Sequence, residues 1–307
     1  MKLYFRILLV SISMPLLFAC ESNGRHLGYE SDTHGRGEAT ILIEESFKPL
    51  FETSIYTFES QFPHADVIPH YMAEGDIIND FFANKVKTIC ISRDFTEEER
   101  AALRKRNVEV RSDRIAFDGV TLIVNPENPD SAITVDRLKR IIMGKDSVWT
   151  GLKSKINVVY DQVNSANFNY LKQLVGHNNL PANIFAVKSN VEVIDYVKKN
   201  KSALGVIGLN WISDQDDFDV KDFVKGLKVM SVAESKSKPF YKPYAGVIYT
   251  REYPLRREIW MINKAKRSGI HTGFVLFMTG EKGQTIITKS ALVPATAPVR
   301  LIQISTQ

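Results

Sequence analysis

From residue 39 onward, short β-branched or aromatic runs alternate with stretches whose apolar residues recur every three or four positions. Residues 40–43 form a short β-branched run, and Ser46 opens a segment carrying Leu50, Phe51, Ile55 and Phe58 at helical spacing. Residues 66–71 predict a strand, Ile77, Ile78, Phe81 and Phe82 a helix, and residues 86–91 a third strand. Thr96 followed by Glu97, Glu98 and Glu99 predicts a helix to Lys105, because acids in a first turn meet the positive end of the helix dipole. A strand over 108–111 then leads to another over 115–124, which stops at Asn125-Pro126 and Asn128-Pro129. Thr134 is placed to cap a helix over 135–143, with Leu138, Ile141 and Ile142 on one face, Gly144 behind it and a lone Trp149 beyond.

The same alternation resumes with strands over 155–160, 184–187 and 204–209 and helices over 164–174 and 191–198. Residues 214–222 are acidic and loop-like, 227–231 predict a strand and 236–243 a connector rich in Lys and Pro. Residues 245–250 predict a strand returning to the first half, 255–266 an amphipathic helix carrying Ile259, Trp260 and Ile262, and 274–289 a last helix before a coil. Alternating strands and helices imply an α/β fold with largely parallel sheets covered on both faces. A length of 307 residues suits two lobes.

The N-terminus changes the picture. Lys2 and Arg6 precede an apolar run over 7–18 that is too short to span a bilayer, so 1–19 predict a secretory signal peptide. Ala19 directly before Cys20 resembles the lipobox of bacterial lipoproteins, in which the cysteine is acylated and anchors the chain to a membrane; the other reading is a plain signal peptide with a chance cysteine. Residues 20–38 lack aliphatic periodicity and read as a flexible tether. Formal charge is +5 overall, too mild to imply nucleic acid. Apart from Cys20 the chain holds one cysteine, Cys90, within an apolar run where a buried, inert thiol is expected. The 6 histidines are scattered without ligand spacing, so neither a metal nor a cofactor is expected. No phosphate loop, GxSxG or HExxH is present, and nothing assembles a catalytic set.

Five segments, in order, carry a family resemblance. RIAFDGVTLIVNPENP followed by ITVDRLKRIIMGKDSVW resembles the crossover strand, helix and Trp segment of the PstS-like phosphate-binding proteins of ABC transporters. Ser92-Arg93 before Glu97, residues 203–209, Tyr253-Pro254-Leu255-Arg256-Arg257, and the C-terminal stretch 274–294 are similar to the corresponding steps of that family. The resemblance covers about residues 39–296. It implies a two-lobed fold of the periplasmic binding protein kind, with a hinge of crossing strands and an anion held between the lobes. The expected limits are 39–116 plus 245–307 for lobe I and 117–244 for lobe II.

In that family the anion is held by backbone N–H groups and hydroxyls at helix N-termini. Matched by position, the resemblance nominates Ser46 and Phe47, then Ser92 and Arg93, then Ser165, Ala166 and Asn167 as ligand-binding. Ser46, Ser165 and Asn167 read equally well as plain N-caps, and Arg93 as the partner of nearby acids. Two departures stand out: Glu44 and Glu45 replace a Gly-Ser-rich first loop, and Asp161 stands where the family has an Arg clamp. Two roles are therefore expected. One is an envelope lipoprotein facing the periplasm or exterior that delivers phosphate or another small polar solute to an ABC permease. The other is a non-transport descendant, an envelope scaffold or sensor with a degenerate anion site. The acid at position 161 predicts weak or absent phosphate binding.

Overall fold

The computed structural model describes residues 32–176, 183–213, 225–265 and 267–296. The expected signal peptide, Cys20, the part of the expected tether up to residue 31, the acidic 214–222 segment and the stretch beyond 296 expected as coil lie outside the described residues. Strand β1 (Arg36–Glu44) passes through a single 3-10 turn (Glu45–Phe47) into helix α1 (Lys48–Gln61). β2 (His64–Met72), α2 (Glu74–Phe82), β3 (Thr88–Ile91) and α3 (Glu97–Lys105) follow, and Thr96 and Glu99 close the predicted capping box on α3. The long strand β4 (Arg111–Val124) leads to β5 (Ala132–Thr134) and α4 (Val135–Ile142), whose first turn is capped by Thr134 as its sequence position predicts. Next come β6 (Asn157–Tyr160), α5 (Ala166–Val175), β7 (Ile184–Ala186), α6 (Asn190–Lys199) and β8 (Ala203–Gly208). The chain closes with β9 (Lys228–Val229), β10 (Ser231–Ala233), α7 (Ala245–Tyr249), β11 (Arg256–Asn263), α8 (Ile270–Thr279), α9 (Glu281–Lys289) and β12 (Val293–Pro294).

The main sheet runs β2-β1-β3-β11-β4-β8-β6-β7, so β4 joins its two halves. β1, β2 and β3 are mutually parallel, as are β6, β7 and β8. β4 pairs antiparallel with β11 up to Gly119 and with β8 from Val120 onward. One strand therefore belongs to both lobes, which is the two-lobed α/β arrangement with crossing strands. One core cluster follows β4 through both halves, and a second, built on Leu42, Ile77, Phe81, Ile89 and Ile91, lies under α2 and α3.

Four sequence expectations are corrected. Residues 255–266 are not a helix: β11 buries Arg257, Ile259 and Met261 in alternation. A short apolar run fits both periods, and here pairing with β3 and β4 decides for the strand. Residues 245–250, expected as a strand, form α7, in which Ile248 donates its N–H back to the Tyr244 carbonyl while its side chain is buried against Gly119. The returning strand is thus β11. The single helix expected over 274–289 is two, with Gly280 in extended backbone between them. Residues 108–110 are not strand, since β4 begins at Arg111.

Residues 36–38, expected to belong to a tether, instead begin β1. Ahead of it, Asp32 Oδ1 accepts the Ile270 N–H at 2.7 Å, tying this segment to the start of α8. The two backbones meet so closely that a Cβ on Gly273 would stand 2.0 Å from the His34 carbonyl oxygen.

Trp149 is fully buried, and its indole N–H donates to the Ser202 carbonyl at 2.8 Å. Trp149→Ala removes both the ring and that bond. It is expected to lower unfolding free energy by about 3–5 kcal/mol in urea titration, a loss below about 1 kcal/mol being incompatible with a core role.

Candidate ligand cleft

Parallel strands deliver their loops to one end, and here the C-terminal ends of β1, β3, β6, β7 and β8 converge. At the end of β1, Glu44 is fully buried. Its Oε2 accepts the Ser46 N–H at 2.8 Å and its Oε1 accepts the Ala166 N–H at 3.1 Å, so one carboxyl joins the β1 loop to the first residue of α5. Glu45 does the same toward α6: its Oε2 accepts the backbone N–H of Asn190 at 3.3 Å and the side-chain amide of the same residue. Glu74, at the start of α2, accepts the N–H of Ser92 at 2.7 Å together with its hydroxyl.

Asp161 follows β6 and is fully buried. It accepts the Ser165 hydroxyl at 2.6 Å and the Asn167 and Asn190 amides at 3.1 and 3.3 Å. Asn167 in turn donates to Ser46 Oγ at 3.1 Å and accepts from Arg257 Nη1 at 2.9 Å. Arg257 reaches the network from β11 and is held by Asp118 of β4, with Nε at 2.8 Å and Nη2 at 2.7 Å from Oδ2. Gly208 leaves room for that guanidinium, since a Cβ there would meet Nη2 at 2.6 Å. Asn210, just after β8, accepts the Leu50 N–H at 2.9 Å and donates to the Ser46 carbonyl at 2.6 Å. A backbone contact completes the seam: Gly75 donates its N–H to the Asn164 carbonyl at 3.0 Å, and Asn164 sits at φ 63, a conformation asparagine tolerates.

Of the residues nominated from sequence, Ser46, Phe47, Ser165, Ala166 and Asn167 come together and are buried. Ser165 is an N-cap of α5 as well, accepting the Phe168 N–H at 3.1 Å. Ser92 lies on the first-lobe side, bound to Glu74. Arg93 turns away: its guanidinium forks onto both oxygens of Glu99 at 2.7 and 2.8 Å, which satisfies the capping acid of α3. Of the two sequence readings of Arg93, ligand residue or partner of nearby acids, the pairing with Glu99 matches the second, and the cation of the network is Arg257. Arg257 escaped notice because its stretch reads as a helix, whereas a period of two would have placed it on the same buried face as Ile259 and Met261. Glu74, Asn190 and Asn210 carry no local signal.

Burial raises Glu44, Glu45 and Asp161. Glu45 is pushed up to about 7, mainly by desolvation, and the Asn190 amide opposes only part of that. Glu44 is raised by burial and by Asp161, Arg257 opposing; Asp161 is raised by burial, with the Ser165 hydroxyl opposing. Arg257 keeps its charge, because Asp118 and Glu44 outweigh its own desolvation. Cys90 is buried and its thiol is pushed upward by desolvation. Among the described residues no group of three or more His, Cys, Asp or Glu is placed to hold a metal, and no helix is long and apolar enough to cross a membrane.

The match to known proteins follows the same architecture. The PBP superfamily domain matches residues 29–282. The chain belongs to the PBP superfamily. Within it, the PstS-like resemblance is upheld. The phosphate-binding protein PstS of Borreliella burgdorferi is 26% identical over 303 residues, covering 94% of this chain and 97% of that one. A phosphate ABC transporter substrate-binding protein from Clostridium perfringens, solved with bound phosphate, superposes with a TM-score of 0.71 at 20% identity, covering 85% of this chain and 100% of its own. An ABC-type phosphate transport receptor from Vibrio cholerae gives 0.63 at 20% identity, covering 84% and 100%. At these identities the two structures speak for the shared PBP-like fold.

The shifts set a pH dependence. A carboxyl raised in the closed, folded state holds its proton there while the unfolded one has lost it, so stability falls as pH rises through that window. For Glu45 the window runs from 4.5 to about 7, and Glu44 and Asp161 act in the same sense. Thermal melts should therefore show a falling Tm between these pH values. Because a single oxygen of Glu45 accepts both Asn190 donors, Glu45→Gln is expected to raise Tm at pH 8 and flatten the slope. An unchanged slope would exclude Glu45 as its source.

Proposed function

We propose that this chain is an envelope-anchored solute-binding lipoprotein of PstS type whose anion cleft is filled by its own carboxyl groups, so that phosphate is excluded near neutral pH. The observation that carries this reading is Glu44 bridging the Ser46 and Ala166 N–H groups, donors of the kind that hold an oxyanion at helix N-termini. Glu45, Glu74 and Asp161 take further donors of the same kind. An incoming phosphate would have to displace these acids and lie beside any that remained, with Arg257 already committed to Asp118. In this form the protein acts through its closed two-lobed body, as a scaffold or sensor in the envelope.

Residues 1–19 are the signal peptide in this reading, Cys20 is the acylated residue, and Ser46, Phe47, Ser92, Ser165, Ala166 and Asn167 are the residues lining the former anion site. The boundary between lobes expected at 116/117 lies close to the change of partner along β4 at Gly119 and Val120, which supports a division there. The PstS relatives favour a second role, delivery of phosphate or another small polar solute to an ABC permease, which requires the acids to withdraw. Neither role calls for catalysis.

Calorimetric titration of phosphate into the mature protein at pH 7.5 separates the two. The expected result is no measurable binding for the native sequence, and a gain of about tenfold or more on Glu44→Gly, which frees two N–H donors. Sub-micromolar binding by the native sequence would overturn the proposal in favour of transport.

A further inference from the structure

At the end of the first-lobe sheet opposite the cleft, where Asn263 of β11 pairs with Thr88 of β3 and Arg111 of β4, lies a hollow of about 960 Å³. Five basic side chains line it, Lys87, Arg104, Arg111, Lys264 and Arg267, against two acids, Asp32 and Glu109. One of those acids is engaged, since Asp32 accepts the Ile270 N–H at the start of α8. Arg104 is paired with Glu97 and Arg111 lies 3.9 Å from Asp113, whereas Lys87 and Arg267 make no ion pair among the described residues. His271 adds no charge at neutral pH, because burial and the nearby Lys87 press it down to about 4. The excess of cations is thus concentrated in a concave surface, where low-dielectric walls focus the field.

Position adds a second argument. Asp32, where the described chain begins, lines this hollow, and it stands twelve residues after Cys20. Twelve residues extend to at most about 40 Å, so an anchor at Cys20 keeps this end of the first lobe near the bilayer. We propose that the hollow is a second anion site, facing the membrane, that seats the phosphate-bearing headgroups of anionic lipids. The orientation rests on the Cys20 anchor of the preceding section; the charge and shape do not. Docking here turns the cleft and its seam away from the lipid, toward partners in the surrounding compartment.

The test uses the mature chain, residues 20–307, with Cys20→Ser, so that no acyl chain contributes. It is expected to co-sediment with phosphatidylglycerol-containing vesicles and not with pure phosphatidylcholine. The double variant Lys87→Glu/Arg267→Glu should weaken this more than about tenfold without changing Tm, since both side chains are exposed. Equal binding to both vesicles, or binding that survives the charge reversal, would overturn the proposal. So would displacement of the protein from vesicles by millimolar inorganic phosphate, which would reassign the hollow to a free anion. Palmitate labelling of the native chain against Cys20→Ser tests the anchor separately, so either idea can fail alone.

Discussion

The backbone N–H groups of Ser46 and Ala166 belong to opposite lobes, yet both end on the carboxyl of Glu44. Helix starts leave such donors without partners inside the helix, and a cleft that brings two of them together must supply an acceptor or leave them unpaired at a substantial cost. A solute can be that acceptor, or the chain can. Here the chain provides it, and the neighbouring groups follow from that choice. With Glu44 in place, Asn167 and Asn190 turn their amides toward Asp161, and Arg257 is drawn in between Asn167 and Asp118. Gly208 stays without a side chain so that the guanidinium fits.

A buried network of this kind behaves as a unit. Glu44, Asp118 and Asp161 surround a single guanidinium, and burial leaves their charges poorly screened. The arrangement tolerates that imbalance because each of these acids accepts hydrogen bonds or an ion pair, and because burial lets some of them keep a proton. What would be a cleft in an open binding protein is therefore a seam. The lobes are held by directional polar bonds along with apolar packing, and rupture of one bond leaves its partners unpaired.

Much of the architecture was legible because apolar β-branched runs alternate with runs of helical spacing: apart from β5, the elements from β1 to α6 lie on such runs, and the capping residues Thr96, Thr134 and Ser165 mark real helix starts. The misreadings over 245–250 and 255–266 fall where a run is too short to separate the two periods, and that over 274–289 falls where Gly280 breaks a helical run. Arg256 to Asn263 spaces its apolar residues in a way that either structure accepts, and only the neighbouring strands decide. That misreading also concealed Arg257. At the cleft, the anomaly of Glu44, Glu45 and Asp161 was visible as misplaced charge, but its resolution was not. Their donors come from positions more than a hundred residues away in the case of Ala166 and Asn190, and sequence pattern says nothing about such distances.

The contact between Gly75 and Asn164 constrains the seam in a way its acids do not. Here main chain meets main chain, with a Cβ at position 75 falling 2.9 Å from the Asn164 side chain. A bond made by side chains can be tuned by small chemical steps, but one made by two backbones at such range cannot. The only inherited change available at Gly75 is the addition of bulk, which acts as a wedge. Drift at that one codon would thus carry the molecule toward an opened form, independently of what its acids do.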